Sequence, residues 1–519
     1  MRNHSLFAAL RAAFPADLDQ VAIETADTPV PLYYTWGDLE RGSAMIANLF
    51  DSLALPPASR IAVQTEKSVE ALMLYLAVLR AGHVYLPLNT AYQAGEIEYF
   101  VGNAEPAVVV CSGKNFGWVS KTAFQAGTRH VFTLNDDRSG SLLDRAAFHA
   151  DEHTPAQRSR DDLAAILYTS GTTGRSKGAM LSHGNLLSNA LVLKEHWGWR
   201  RAEDGGDVLI HALPIFHVHG LFVASHGALL NGSRMIWFAR FDPKAVLARL
   251  PEASVFMGVP TLYVRLLGEG GLTEERCRGM RLFVSGSAPL LIETFNDWRR
   301  RTGHTILERY GMSETLMLTS NPYRPEDARR GSTVGLPLPG IGLRVHGERG
   351  QPLANGEIGG IEVKGPNVFK GYWRMPEKTA DEFTTDLWFK TGDVGLIDAD
   401  GYVSIVGRSK DLIISGGYNV YPAEIEGVIN ELPGVAESAV VGVPHADFGE
   451  AVVAVVVARP GAALAASEIL AALKARIANF KVPKQVFITS DLPRNTMGKV
   501  QKNLLREQHK TLFSGPSRP

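Results

Sequence analysis

Apolar residues come in two rhythms along this chain. Short unbroken runs, Arg60 to Gln64, Ala107 to Cys111, His130 to Leu134 and Ser254 to Met257, have the length and continuity of strands buried on both faces. Between them lie longer stretches of helical period, such as Ser68 to Ala81. Their alternation predicts parallel sheets covered by helices. Beyond about residue 340 the texture changes to closely spaced strands and turns, Gly342 to Val345, Gly359 to Val363, Gly392 to Ile397 and Tyr402 to Val406, which predicts a smaller antiparallel unit. A polar joint, Arg408-Ser409-Lys410-Asp411, then precedes a last α+β segment. The expected class is α/β. Residues 1–409 form a large domain, with helix-covered sheets over 1–340 and a β-rich subdomain over 341–409, and residues 410–519 form a small C-terminal domain. The pattern contains no internal repeat and no low-complexity tract.

Composition narrows the class without naming a function. The chain has 519 residues, 45% of them hydrophobic and 21% charged, and these are globular values. A formal charge of −1 supplies no field for gathering nucleic acid. Only Cys111 and Cys277 occur, too few for a disulfide framework or a thiolate metal site, which fits a reducing compartment. No apolar run is long enough to cross a bilayer, since glycines and histidines interrupt Val208 to Leu230. The N-terminus lacks a signal-peptide core and is expected to form an amphipathic helix from Leu6 to Phe14. Arg2 and Arg11, with no acid before Asp17, keep a mitochondrial address in view beside the expected cytoplasmic one.

The densest chemistry lies in Tyr168-Thr169-Ser170-Gly171-Thr172-Thr173-Gly174-Arg175-Ser176-Lys177-Gly178. Glycines let backbone approach an anion, hydroxyls donate short hydrogen bonds and Lys177 adds charge, so the segment suits a triphosphate. Arg175 follows Gly174 where a Walker A loop needs Lys and then Ser or Thr. The apolar run Leu163 to Leu167 before it, and a helix capped by Ser182 after it, suggest a strand, loop and helix in sequence.

Further segments follow in order: Leu213 to Gly220; Ser285-Gly286-Ser287-Ala288-Pro289-Leu290; Glu308-Arg309-Tyr310-Gly311-Met312-Ser313-Glu314-Thr315; Gly359 to Tyr372; Phe389-Lys390-Thr391-Gly392-Asp393; Gly407 to Asp411 with Ser415-Gly416-Gly417; and Leu492 to Lys499. Together with the phosphate loop they resemble the adenylate-forming superfamily of acyl-CoA synthetases, luciferases and peptide-synthetase adenylation domains. That resemblance implies a carboxylate attacking the α-phosphate of ATP to give an acyl-adenylate and pyrophosphate, then a thiolate displacing AMP. It further implies that Thr169, Ser170, Gly171, Thr172, Thr173, Gly174 and Lys177 hold the β- and γ-phosphates. Ser313, where the family usually has Thr, meets the α-phosphate, and Glu314 with Thr169 holds Mg2+. Tyr310 offers a face to adenine, with Ser287, Ala288, Pro289, Glu308, Gly311 and Met312 lining the nucleotide. Asp393 and Arg408 take the ribose.

By the same resemblance Lys499 bridges the substrate carboxylate and the α-phosphate, neutralising both as they approach. Rotation of a mobile C-terminal domain about a hinge at Lys410 then withdraws it and turns Ser415, Gly416, Gly417 and Tyr418 toward a CoA channel. Counterparts of Lys499 in this superfamily are regulated by acylation, which makes it a candidate for the same.

The acid is addressed by a different region. Arg265 stands in the otherwise apolar Thr261-Leu262-Tyr263-Val264-Arg265-Leu266-Leu267, where a guanidinium is costly to bury without an anion, and Ser287 replaces a common alanine. A snorkelling surface arginine is the plainer account of Arg265. With His217 and the segments Gly258-Val259-Pro260-Thr261 and Lys364 to Tyr372, these residues resemble the malonyl-CoA synthetases within that superfamily. The resemblance implies that Arg265 forks a distal carboxylate, that Ser287 assists and that His217 lies near the reacting carboxylate. Malonate is the expected acid, with methylmalonate tolerated. Succinate, one methylene longer, should lose about 10- to 200-fold, and acetate would leave Arg265 unpaired. Alternatives are a ligase for oxalate, methylmalonate or an acetate-like acid, a peptide-synthetase-like loading module and a catalytically silent nucleotide-binding regulator. No room for a carrier domain after Lys499 disfavours the loading module, and Lys499, Glu314 and Asp393 disfavour the regulator. The sequence carries no signal for oligomeric state.

Overall fold

The computed structural model describes residues 3–169, 176–415, 418–445, 448–495 and 498–513, with Asn419 as backbone alone. Two large sheets form the first part of the chain. One runs, in spatial order, His130–Thr133, Val108–Cys111, Arg60–Gln64, Val84–Pro87, Leu163–Thr169 and Lys177–Ser182, parallel except for the last pair. The other has nine strands, with a parallel centre of Leu307–Met312, Leu282–Ser285, Val255–Gly258, Val208–His211, Arg234–Trp237 and Val21–Thr25. Each of the four runs expected as strands becomes one, and each central strand is buried on both faces, which is why it reads as a continuous apolar run.

The helix Val69–Arg80 has every residue buried, with Ser68 accepting from the Ala71 N–H at its start. A helix apolar all round belongs between layers, and its one cation is satisfied by Glu40 at 3.0 Å and by the His153 carbonyl. The first helix is shorter than its amphipathic pattern suggests, Leu6–Arg11, because the chain turns there so that Phe14 can pack against Trp36 at 4.6 Å.

The segment around the phosphate loop needs correction. Lys177–Ser182 is a strand, antiparallel to Leu163–Thr169 with Thr169 opposite Lys177, so residues 170–175 join two strands of a hairpin. Ser182 does cap a helix, His183–His196, through a reciprocal bond with Asn185. That helix starts at the far end of the second strand, and its N-terminal dipole is therefore not the anion device that a strand-loop-helix would offer.

Downstream, Gly342–His346, Gly359–Lys364, Phe389–Ile397 and Val403–Arg408 make a four-stranded antiparallel sheet. A single 3-10 turn, Ser409–Asp411, separates it from a five-stranded sheet built around Val435–His445 and Gly449–Ala458. That last sheet carries apolar clusters of its own, centred on Ile425 and Val456 and on Val441 and Leu505. The residues after the joint thus have a core of their own, as an independently folding unit requires.

Candidate active site

The carboxyl ends of the nine-stranded sheet, the four-stranded sheet and the loop carrying Lys499 converge. Asp393 and Arg408 face each other across adjacent strands, and their side chains meet at 3.1 Å between Nε and Oδ1. Tyr310, from the end of Leu307–Met312, donates its hydroxyl to the other Asp393 oxygen at 2.5 Å. Both oxygens are held before any sugar arrives. Burial and the nearby Asp393 charge raise the Tyr310 pKa well above the ordinary phenol value, so the hydroxyl remains a donor.

Glu314 is 4% exposed and sits in the turn between Leu307–Met312 and Leu316–Ser320. Gly311 is needed there, since a Cβ would lie 1.9 Å from the Leu316 carbonyl oxygen. The Glu314 carboxylate accepts from the Tyr372 hydroxyl at 3.0 Å and lies 3.4 Å from the Thr169 hydroxyl. Burial raises its pKa, which Tyr372, Lys177 and Arg408 partly oppose. Ser313 and Met312 are half-buried beside it. Lys177 lies over the Tyr372 ring at 4.2 Å and pairs with Glu382 at 3.2 Å, an acid that sequence reasoning missed. Ser170, Gly171, Thr172, Thr173 and Gly174 lie outside the described residues.

The acyl side has a different electrostatic character. Arg309 is 3% exposed and has no carboxylate partner among the described residues; its one hydrogen bond, to Ser287 Oγ at 3.5 Å, is at the outer limit. Its Nε has no acceptor among the described residues. Burial, only partly opposed by Tyr263 and Glu308, pulls its pKa well below the usual arginine range. Gly286 makes room for it, because a Cβ there would stand 2.5 Å from the guanidinium carbon. Ser287 adopts a left-handed φ of 72°, a strained conformation for a residue with a side chain, and its hydroxyl is 3.5 Å from His219 Nδ1. Burial, then Arg309 and Lys499, lower His217 to about 4, so it is neutral at pH 7. His219 is shifted in the same direction by burial and by Arg309. A buried cation with two neutral imidazoles and a hydroxyl near it is chemically suited to receive an anion.

Arg265 differs from Arg309 in depth. On the helix Pro260–Leu267 the buried side is Leu262, Tyr263 and Leu266; Arg265 is exposed, with no hydrogen bond or ion pair among the described residues. It lies one turn beyond Thr261, whose hydroxyl is 3.5 Å from where a Cβ on Gly498 would stand, so both are on the side of the Lys499 loop. Lys499 itself is exposed at its surface yet close enough to Arg408, Asp393 and Asp411 to feel them; partial enclosure and Arg408 lower its pKa. Its loop is closed by reciprocal bonds with Asn495 at 2.9 Å and braced by Arg494, which donates to the Gly498 carbonyl at 2.7 Å.

The remaining candidates spread out. Ala288 is half-buried, Pro289 is exposed and Glu308 is buried, accepting from the Leu290 N–H at 3.1 Å with its second oxygen unpartnered. Burial raises Glu308 to about 8. Lys410 lies in the exposed turn between the sheets. Ser415 is buried opposite Tyr418, which is 58% exposed and stacks on Phe480 at 4.7 Å; Gly416 and Gly417 lie outside the described residues. Arg309 and His219 stood inside quoted motifs without a role. Arg309 carried little signal in the sequence, because Glu308 stands beside it in the same strand and only strand alternation, which sends the two side chains to opposite faces, separates them.

A family model for AMP-binding enzymes matches residues 18–373, and one for the C-terminal domain of AMP-binding enzymes matches residues 424–499. A malonate–CoA ligase from Arabidopsis thaliana is 32% identical, covering 98% of this chain and 89% of its own length. A mitochondrial malonate–CoA ligase from Homo sapiens is 34% identical over 83% of this chain and 79% of its own. The crystal structure of ATP-bound MatB from Rhodopseudomonas palustris overlays with a TM-score of 0.94 at 53% identity, covering 99% of this chain and 100% of that one, and the apo form with 0.83. The chain belongs to the AMP-binding enzyme family, as an AMP-forming acid–thiol ligase.

Proposed function

We propose that this enzyme is an ATP-dependent malonate–CoA ligase: malonate, ATP and CoA give malonyl-CoA, AMP and pyrophosphate through a malonyl-adenylate. The observation that carries the choice of acid is Arg309, a buried guanidinium without a carboxylate, beside Ser287 and His219. A monocarboxylate presents its only charge to the phosphate and leaves Arg309 unpaired, at about 1–3 kcal/mol or more for a charged group. A second carboxylate on a short acid neutralises it. The malonate–CoA ligase relatives support the same reading. Arg265, near the Lys499 loop, is then a second cation at the mouth of the pocket.

In the first half-reaction an oxygen of the reacting carboxylate bonds to the α-phosphorus while pyrophosphate leaves. Neutral His217 lines that region without competing as a cation, and Lys499 approaches from the C-terminal unit, where it can neutralise carboxylate and phosphate together. Asp393, held by Tyr310 and Arg408, fixes the ribose hydroxyls. Thr169 and Glu314, whose oxygens lie 3.4 Å apart, are hard donors that would hold Mg2+, and the ion there would offset the triphosphate charge. In the second half-reaction the CoA thiolate attacks the acyl carbon and AMP leaves. Rotation about Lys410, with Ser415 to Tyr418 brought toward the thiol, would withdraw Lys499 between the two steps.

The test is CoA-dependent thioester formation across malonate, methylmalonate, succinate, oxalate and acetate, with products identified by mass spectrometry. Malonate should give the highest kcat/KM, methylmalonate should follow, and succinate should fall by about 10- to 200-fold. A preference for acetate, or ATP turnover indifferent to the acid, would defeat the proposal.

A further inference from the structure

Behind the acyl pocket lies a buried polar chain that the reaction does not require. Lys67, in the connection between Arg60–Gln64 and Val69–Arg80, crosses from the six-stranded sheet to the strand ends of the nine-stranded one. Its Nζ lies 2.8 Å from the His211 carbonyl, 2.7 Å from the Phe238 carbonyl and 3.0 Å from His211 Nδ1, over the Trp237 ring at 4.2 Å. On the other side of the same imidazole, Nε2 is 3.0 Å from both the Gly220 carbonyl and Ser225 Oγ.

These contacts fix the protons. The Gly220 carbonyl can only accept, so Nε2 carries the hydrogen and Nδ1 is bare. Lys67 must then donate to three acceptors at once, which requires the ammonium form. Burial disfavours that charge, with Asp27 opposing, and the three acceptors are what sustain it. Gly220 is pressed from the opposite side as well, since a Cβ on it would lie 2.0 Å from the Pro214 carbonyl oxygen. It belongs to a π-helical turn, His219–Ser225, a rare conformation that clusters at functional sites. His219 opens this turn and His217 lies just ahead, its carbonyl accepting from the Leu221 N–H at 3.0 Å.

We propose that Lys67 is a positioning residue: it locks His211 with its proton on Nε2, His211 pins the Gly220 carbonyl, and the π-turn so held presents His217 and His219 to the acid. This rests on the reading that the acid binds against those histidines. Without Lys67 the bare Nδ1 is free to take the proton, and Nε2 would then turn a lone pair on the Gly220 carbonyl. The turn would shift, and a displacement of about 1 Å at this distance costs on the order of 100-fold.

Two amides separate this role from a mere stitch between sheets. The terminal N–H of Gln reaches the place of Nε2, whereas Asn reaches only that of Nδ1, and neither side chain changes tautomer. Lys67→Met should lower kcat/KM for malonate by about 100-fold while the KM for ATP moves less than about threefold. Adding His211→Gln to Lys67→Met should recover about tenfold or more, because the donor to Gly220 no longer depends on Lys67. Of the single variants, His211→Asn should be the more damaging. If His211→Asn is instead the milder, or Lys67→Met leaves malonate kcat/KM unchanged, the proposal falls. The two His211 variants bear on the matter even where Lys67→Met melts below the assay temperature, since both lose the imidazole and, apart from the one methylene by which Gln is longer, differ in where they donate. A wild-type enzyme showing no malonate-dependent pyrophosphate release would instead refute the assignment of the acid, whatever these variants do.

Discussion

The two ends of the site are built on opposite principles. At the nucleotide end three of the described charged groups already have partners: Asp393 has Arg408 and Tyr310, Glu314 has Tyr372, and Lys177 has Glu382. At the acyl end Arg309 is buried with one marginal hydrogen bond, and the His219 Nε2 beside it has none. Paired groups are already oriented, so a ligand gains geometry from them and little new charge compensation. An unpaired buried cation stores a desolvation penalty that only the right anion relieves, and that relief discriminates between substrates. The nucleotide end is therefore suited to any acid, and the acyl end to a short diacid.

The largest way to break this contrast is Lys499→Ala. Adenylate formation from malonate should fall by more than about 1,000-fold, a loss of the size seen when transition-state charge is left unneutralised. Thioester formation from supplied malonyl-adenylate should change little. Equal loss of both half-reactions in single-turnover assays would remove Lys499 from its role. Next comes the acyl cation. Arg309→Gln should lower malonate kcat/KM by about 100-fold or more, whereas Arg265→Ala, exposed and unpaired, should cost about tenfold or less. The reverse order would return the distal carboxylate to Arg265.

The smallest effect concerns stability. Glu308, with its pKa raised to about 8 by burial, keeps a proton in the folded chain that the unfolded chain releases near the ordinary carboxyl value. The folded state thus binds more protons across that interval, and stability falls as pH rises from about 4.5 toward 8, levelling off above. Glu308→Gln should flatten this slope in thermal melts between pH 5 and pH 8. An unchanged slope would mean that the carboxyl ionises freely in the fold.

Much of the scaffold was legible because it rests on local pattern. Unbroken apolar runs became buried parallel strands, and the all-apolar Val69–Arg80 became an inter-layer helix with Ser68 at its cap. The hairpin after Thr169 was misread, since Lys177 to Ser182 has no stronger apolar run than a loop entering a helix, and its strand partner is set by long-range pairing. The motifs proposed residues for the nucleotide, and the structure gathers Tyr310, Glu314, Asp393 and Arg408. Depth was not legible. Arg265 attracted attention as an arginine among leucines, yet helical period turns it outward with Val264, while Arg309, unremarked inside its motif, is enclosed by packing from Gly286 and Tyr263. Nor did sequence suggest that Lys67 reaches His211 across two sheets.

The most direct test of the contrast is the malonate-to-acetate ratio of kcat/KM, measured side by side in the wild-type enzyme and Arg309→Gln. The ratio should collapse toward unity in the variant through loss of malonate activity, with the KM for ATP nearly unchanged. A ratio that survives the substitution would contradict the claim that this buried cation selects the acid.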